Sequence, residues 1–192
     1  NNYNVGVGYQ AGFAVTTGIQ NTLVGGLAGD ALTDADRNVA IGYSSLSSDT
    51  LGSLSVAIGR SALSAQNFTT ATDTYNVAIG SSAGGSLTTG VSNTIVGGLA
   101  GDALLDADKN VAVGLRALST DTLGSKSTAI GTDALKSQNF TSATDSFNVA
   151  VGFETGQNIS TGTNNTFLGG LTGGGVTSGQ GNTFLGHKAG AH

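Results

Sequence analysis

The chain has 192 residues, of which 32 are glycine, and it contains no proline, cysteine, methionine or tryptophan. The absence of cysteine excludes disulfide bonds and thiolate metal sites, and charged residues make up only 10% of the chain, far below the usual quarter. The net charge of −5 gives no attraction for nucleic acid or an anionic membrane surface, and no apolar run reaches the roughly 18 residues that a membrane span needs.

One nine-residue box recurs along the whole chain, and the copy at residues 76–84 reads Asn-Val-Ala-Ile-Gly-Ser-Ser-Ala-Gly. The eleven copies begin at Asn4, Asn21, Asn38, Ser55, Asn76, Asn93, Asn110, Ser127, Asn148, Asn165 and Asn182. The interval between copies is constant except after Ser55 and Ser127, where it is longer, and this alternation creates a super-repeat. A fixed period this short predicts a solenoid, in which each coil stacks on the one before it.

We therefore predict an all-β fold for residues 1–192, a parallel β-solenoid of about eleven coils with roughly 17–21 residues each. The two coils that begin at Ser55 and Ser127 are called the long coils here. With ~4.8 Å between neighbouring strands, eleven coils form a rod about 50 Å long. No linker or second domain is evident between the repeats. Because the chain opens on Asn1 without methionine and stops just after a box, we interpret it as a fragment of a longer fibre.

The positions of the box are numbered here as columns one to nine, and the count continues through each coil. Column one is Asn or Ser, column two is Val or Thr, column four is Val, Ile or Leu, and column five is Gly in all eleven copies. Columns two and four share one face of a strand, and β-branched residues favour that setting. We expect this face to fill the coil interior. We expect the column-five glycine to end the strand where positive φ or close backbone approach is required.

Column three points to the other face of the same strand. It is Ala or Gly in seven boxes and a large apolar residue, Leu23, Ile95, Phe167 or Phe184, in the other four. The strand is therefore apolar on both faces, whereas apolar and polar residues alternate along a strand that has one solvent-exposed face. We expect neighbouring chains to cover the column-three face. This predicts a homo-oligomer, most simply three-fold around a common axis, with two-fold packing left open.

Beyond the box, most coils carry a second turn signal, Thr or Ser followed two residues later by Gly, as at residues 16–18. Two glycine-marked turns leave room for two short strands in each coil. The extra residues of the long coils are expected to loop out. The column-one asparagines are expected to stack in a ladder, bonded to one another or to turn backbone.

Some boxes resemble known repeat families. The sequence Ser-Val-Ala-Ile-Gly-x-x-Ala at residues 55–62 resembles the head repeats of trimeric autotransporter adhesins. The variants Asn-Thr-Phe-Leu-Gly-x-x-Ala-Gly at residues 182–190 and Thr-Gly-x-x-Asn-Thr at residues 161–166 resemble phage tail-fibre repeats, of the kind found upstream of endosialidase-type chaperone domains. The resemblance implies a left-handed parallel β-roll whose three chains pack around one axis. The longer coil and the super-repeat depart from adhesin heads and favour the phage-fibre side slightly.

Two coils replace the second glycine turn with Asp-Ala-Asp-Arg or Asp-Ala-Asp-Lys. These carboxylates are candidate calcium ligands, because Ca²⁺ prefers oxygen ligands. The candidates are Asp34, Asp36, Asp106 and Asp108. The coil that begins at Asn165 keeps its length without these acids, so calcium is not required by every coil. The alternative is that Asp forms the turn and that Arg37 and Lys109 neutralise it.

The only histidines are His187 and His192. In a trimer each would occur three times, and three imidazoles on an axis are a candidate metal site. However, column six, which holds His187, varies widely in residue type among the other copies. That variety indicates an outward, solvated position, so we expect no metal and no other cofactor.

Each long coil carries an aromatic pair, Phe68 with Tyr75 and Phe140 with Phe147. The pair either pins the enlarged loop to the rod, which we favour, or forms an exposed patch for contact with a sugar or a protein. Enzyme activity is not expected, because Glu154 is the only glutamate and no Ser-His-Asp set is suggested. Paired aspartates from neighbouring coils, as in a glycan-cleaving tailspike, stay open, but the spacing indicates no specific pair.

These features favour a structural and adhesive fibre segment outside the cell, a trimeric rod that spaces or presents a receptor-binding tip. A phage tail fibre is slightly preferred over a bacterial surface adhesin. Its partners would be further copies of itself and a host-surface glycan or protein, with neither nucleic acid nor membrane insertion involved. A single-chain solenoid that binds ice, mineral or polysaccharide is the second hypothesis. It requires a regular Thr ladder, whereas Thr changes column between coils here. A glycan-cleaving spike is the third.

Overall fold

The computed structural model describes residues 2–191, and these residues form a parallel β-solenoid without a helix. In chain order the strands are β1 (Val5–Val7), β2 (Thr22–Val24), β3 (Val39–Ile41), β4 (Gly52–Ser53), β5 (Val56–Ile58), β6 (Thr72–Asp73), β7 (Val77–Ile79), β8 (Thr94–Val96), β9 (Val111–Val113), β10 (Gly124–Ser125), β11 (Thr128–Ile130), β12 (Thr144–Asp145), β13 (Val149–Val151), β14 (Thr166–Leu168) and β15 (Thr183–Leu185).

Columns two to four of every box contribute one strand to a single 11-stranded parallel sheet along the rod. The strand order is β1-β2-β3-β5-β7-β8-β9-β11-β13-β14-β15. Equal columns pair throughout, as Ala57 does with Ala78. The prediction of an all-β parallel β-solenoid with about eleven coils is therefore confirmed.

A second strand on the far side of the coil forms only beside the long coils, where β4 pairs with β6 and β10 pairs with β12. The expectation of two strands in each coil is thus wrong for the other coils that the structure describes. Their far sides are joined partly through side chains. For example, the amide of Ile19 donates to Oδ1 of Asp36 at 2.8 Å. A side-chain acceptor of this kind takes the place of a backbone ladder bond.

The two faces of the box strands lie opposite to the expectation from sequence. Column three points into the coil, and Ala78 is 0% exposed. Columns two and four point outward, and Ile79 is 38% exposed. The prediction that columns two and four fill the coil was wrong, as was the prediction that column three meets neighbouring chains. A thin coil has little room inside, so the column that is mostly alanine fits there and the larger branched residues stay outside.

Columns three, nine and twelve share the space inside the coil. Where column three is large, column nine is glycine, and a Cβ added to Gly173 would lie 2.9 Å from Cδ2 of Phe167. Where column three is Ala40, column nine is the fully buried Leu46. The rings of Phe167 and Phe184 stack between successive coils, with centroids 5.6 Å apart. The coil interior is therefore closely packed because a large side chain in one column is compensated by a small one in the other.

Left-handed backbone conformations form the corners of every coil. Column five has φ between 112° at Gly186 and 139° at Gly152, and a Cβ on Gly80 would lie 2.5 Å from the carbonyl oxygen of Gly97. Both parts of the column-five prediction are confirmed. The residue before each box, called column zero here, and column seven also have positive φ in every coil, although most of these residues are not glycine. Each such residue costs of order 1 kcal/mol, so the surrounding coil must hold it in place.

The column-one asparagines form the predicted ladder. Nδ2 of Asn21 donates to the carbonyl oxygen of Ala35 in the same coil at 2.7 Å. Its Oδ1 accepts from the amide of Asn38 in the next coil at 2.9 Å. One side chain thus closes its own coil and joins it to its neighbour, and the ladder prediction is confirmed.

Candidate interaction surface

The outward face of the 11-stranded sheet is a continuous, uncharged and mostly apolar surface made of columns two and four. All of its side chains are Val, Ile, Leu or Thr, and no charged residue occurs in these columns in any of the eleven coils. The side chains are partly or largely exposed in the single chain, from β1 to β15. A monomeric protein rarely leaves so long an apolar strip uncovered. This face is therefore the first candidate for contact with another molecule.

Two flanking columns border the face, column zero before each strand and column six after it. Both carry large exposed side chains. In column zero these are Tyr3, Tyr75 and Phe147, which occupy equivalent positions in the super-repeat, and in column six they include Tyr9, Tyr43, Leu115 and Phe153. Neither column contains an acidic residue, although the chain has 12. The apolar face is thus widened by aromatic edges that carry no negative charge.

The predicted aromatic pairs are separated by the structure. Phe68 and Phe140 are only 7% and 6% exposed, and their amides donate to buried aspartates, which is the arrangement expected of a pin. Tyr75 and Phe147 are 59% and 50% exposed and belong to the edge of the apolar face. Nζ of Lys126 lies 5.2 Å from the centroid of the Phe147 ring, a cation–π contact. Each pair therefore contains one pin and one surface residue.

A buried carboxylate holds each enlarged loop, and the sequence interpretation missed it. Asp49 is fully buried in column twelve, where most other coils carry Leu, Ile or Val. Its Oδ1 accepts from the amides of Gly52 at 3.1 Å and Phe68 at 3.0 Å, and its Oδ2 accepts from Nε2 of Gln66 at 2.6 Å. Phe68 is thereby fixed, and the exposed residues 69–71 project as the predicted loop.

Gln66 also repairs the asparagine ladder where Ser55 interrupts it. Its Nε2 donates to Oγ of Ser55 at 2.8 Å, and its Oε1 accepts from Nδ2 of Asn76 at 2.9 Å. The same arrangement recurs one super-repeat later around Asp121 and Gln138. The signal in the sequence was the coincidence of a polar column twelve with the serine in column one and the longer coil.

The four candidate calcium ligands are occupied by bonds to the preceding coil. Oδ1 of Asp34 accepts from Oγ1 of Thr17 at 2.6 Å, and Asp36 accepts from a backbone amide. Asp106 and Asp108 repeat these two bonds. Within residues 2–191, no group of three or more His, Cys, Asp or Glu is placed to hold a metal ion. Among these residues, neither aspartate pair is joined by a third acidic or histidine side chain.

The basic residues after these turns do not neutralise them. Nε of Arg37 donates to Oε1 of Gln20 at 3.2 Å. In the part of the chain that the structure describes, ion pairs form only between Arg116 and Asp133, Lys136 and Asp133, and Lys126 and Asp145. Neither Arg37 nor Lys109 forms an ion pair with the aspartates of these turns, so the expected neutralisation is wrong.

The histidines and the carboxylates that the sequence left open as alternatives are not gathered into one site among residues 2–191. His187 is exposed and lies over Gly170 of the previous coil, and His192 lies outside the described residues. A surface cavity of about 420 Å³ contains one carboxylate, Glu154, together with Lys188 and Gln157. Burial raises the pKa of Asp102, whose Oδ1 accepts no hydrogen bond. None of these places gathers two carboxylates with room for a glycosidic bond between them.

Comparison with models of known protein families, with curated proteins and with solved structures found no match. Among residues 2–191, no helix is long and apolar enough to cross a membrane. The structure shows a β-solenoid repeat protein whose outward sheet face and edges are its best candidate contact surface.

Proposed function

We propose that this chain is a structural segment of a surface fibre, in which three copies pack into one rigid rod that mediates or presents attachment to a host surface. The observation that carries the proposal is the charge-free outward face of columns two and four over eleven coils. Packing of copies along this face would remove it from water, which is the main driving force for association.

The size of the face supports the proposal. Columns zero and six are six residue steps apart, and at no more than ~3.3 Å per step the face is up to about 20 Å wide, so with eleven coils spanning about 50 Å the footprint reaches at most roughly 1,000 Å² per copy. A stable interface buries about 800 Å² per partner. Backbone bonds run along the whole rod, and so does the asparagine ladder once Gln66 and Gln138 bridge its two serine positions. Both make the rod stiff without a thick core.

The number of copies and the setting come from the resemblance of residues 55–62 and 182–190 to the repeats of trimeric adhesins and phage tail fibres. We propose a left-handed coil, three chains, and a place in a virion tail fibre or on a bacterial cell surface. The attached partner would be a glycan or protein of the host surface. The mechanism is mechanical, with no chemical step.

The first experiment is the molar mass of the folded chain in solution, measured by light scattering at several concentrations. Three chains per particle are expected. A stable monomer at all concentrations would overturn the proposal. It would favour the second hypothesis, a single-chain solenoid that binds an extended surface.

Two neighbouring substitutions separate assembly from folding. Ile79→Asp places a charge on the outward face, so the oligomer should dissociate while each chain keeps its β circular dichroism. Ala78→Asp buries an unpaired charge, which costs several kcal/mol, so the coils around it should lose structure. Ser48→Asp is the control, because Ser48 is exposed and lies away from the face. An Ile79→Asp variant with unchanged molar mass would contradict the assignment of the interface.

A further inference from the structure

We infer that the copies pack side by side in the same direction and in register, so that column zero of one copy contacts column six of the next copy within the same coil. The inference rests on the proposed function, because it requires the outward face to be an interface between copies. Beyond the proposed function, the inference specifies which edges of two copies meet, how the copies are aligned along the rod axis, and which side chains hold that alignment.

The two edges have matching chemistry. Column zero carries the basic residues Arg37, Lys109 and Lys126 beside its exposed aromatic residues, and column six carries further aromatic residues. Because neither edge contains an acidic residue, ion pairs cannot join them. Aromatic rings are the groups on these edges that can attract a cation, and they also attract one another.

Closed symmetry fixes the relative height of the copies. Copies related by rotation about an axis parallel to the rod cannot be displaced along that axis, since a displacement would build an open helical array and not a closed ring. The rotation also brings the edge before the strands of one copy to the edge after the strands of the next. Each column-zero residue therefore faces the column-six residue of its own coil number.

The pairs that result are chemically favourable. Those with a specific attraction are Arg37 with Tyr43, Tyr3 with Tyr9, and Phe147 with Phe153, each joining two copies. No same-coil pair brings two charged residues together. A displacement of one coil toward the C-terminal end would place Arg37 against Arg60 and would set Tyr3 against the bare backbone of Gly26. The side chains of the two edges thus favour in-register packing over a displacement of one coil toward the C-terminal end.

Cross-linking tests the register directly, since the chain has no cysteine of its own. In the variant Arg37→Cys/Tyr43→Cys, strand β3 (Val39–Ile41) lies between the two cysteines of one chain. The four extended steps from column one to column five alone span about 13 Å, beyond the ~7 Å limit between Cα atoms for a disulfide. A disulfide must therefore join two copies. Mild oxidation should give covalent dimers and trimers on a denaturing gel, and reduction should return them to single chains.

Two matched variants serve as controls. Arg37→Cys/Ser81→Cys moves the second thiol two coils along the rod, about 10 Å, and should stay uncross-linked, as should Arg37→Cys alone. If the control pair cross-links and the same-coil pair does not, the register is overturned. If light scattering shows an oligomer but neither pair cross-links, parallel packing is overturned while the fibre proposal survives. A monomer would overturn both proposals.

Discussion

A compensating pair of core substitutions tests whether columns three and nine share one space. Phe167 is fully buried, and a Cβ on Gly173 would lie 2.9 Å from its ring. Phe167→Ala removes a phenyl group from this space, and Gly173→Leu adds a somewhat smaller isobutyl group. The double variant converts this coil to the alanine–leucine arrangement seen at Ala40 and Leu46. We expect the second change to rescue much of the damage done by the first.

The magnitudes follow from the packing. Phe167→Ala should cost about 4 kcal/mol, including about 1 kcal/mol from the lost stack on Phe184. Gly173→Leu should cost about 2 kcal/mol from overpacking and about 1 kcal/mol for a side chain at positive φ. Independent effects would sum to about 7 kcal/mol, whereas the double variant should lose only about 3 kcal/mol, because leucine fills the vacated space.

The assay is thermal unfolding followed by circular dichroism, at one protein concentration because association shifts Tm. At roughly 3 °C per kcal/mol for a chain of this size, the double variant should melt about 9 °C below the parent, and an additive pair would melt about 21 °C below it. Phe167→Ala combined with Gly101→Leu is the control, since Gly101 borders Ile95 and Leu104 in a distant coil. If the loss of Tm in the double variant equals the sum of the two single losses, as expected for this control, columns three and nine do not share one space.

Three further predictions concern single positions. Gly80→Ala should destabilise sharply, because its Cβ would lie 2.5 Å from the next coil's carbonyl oxygen, whereas Gly98→Ala, whose Cβ has no contact closer than 3.6 Å, should leave Tm nearly unchanged. Asp49→Ala should cost about 3 kcal/mol or more, since it leaves buried donors unpaired, and should expose its loop to limited proteolysis; an equal effect from Asp34→Ala, at an exposed site, would contradict this. Burial raises the pKa of Asp102, so protonation favours the folded chain, and the contribution of Asp102 to stability should rise as pH falls from neutral toward its unfolded pKa of about 4. Asp102→Asn should raise Tm at neutral pH and reduce that rise, and an unchanged pH profile would count against the assignment.

Much of the architecture was readable from the sequence because repetition turns one local pattern into a global one. The regular period of the box predicted stacked coils, the glycine in column five predicted a left-handed corner, and the asparagine in column one predicted a ladder. Each of these needs only a residue and its copy in the next coil. The candidate surface was predicted only in outline, as an apolar strand face covered by another chain.

The tertiary structure alone decided which apolar face is inside. The two-residue period of a strand shows which residues share a face, but it does not show which face points into the coil. The sequence pattern therefore allowed either Ala78 or Ile79 to lie in the core. The left-handed corners at columns five, seven and nine settle the choice, because they bring columns nine and twelve into the space beneath column three. That space is too narrow for a row of isoleucines, and it admits a buried carboxylate such as Asp49 only where backbone amides converge on it. Such convergence depends on the three-dimensional path of the chain, which no pattern along a single coil specifies.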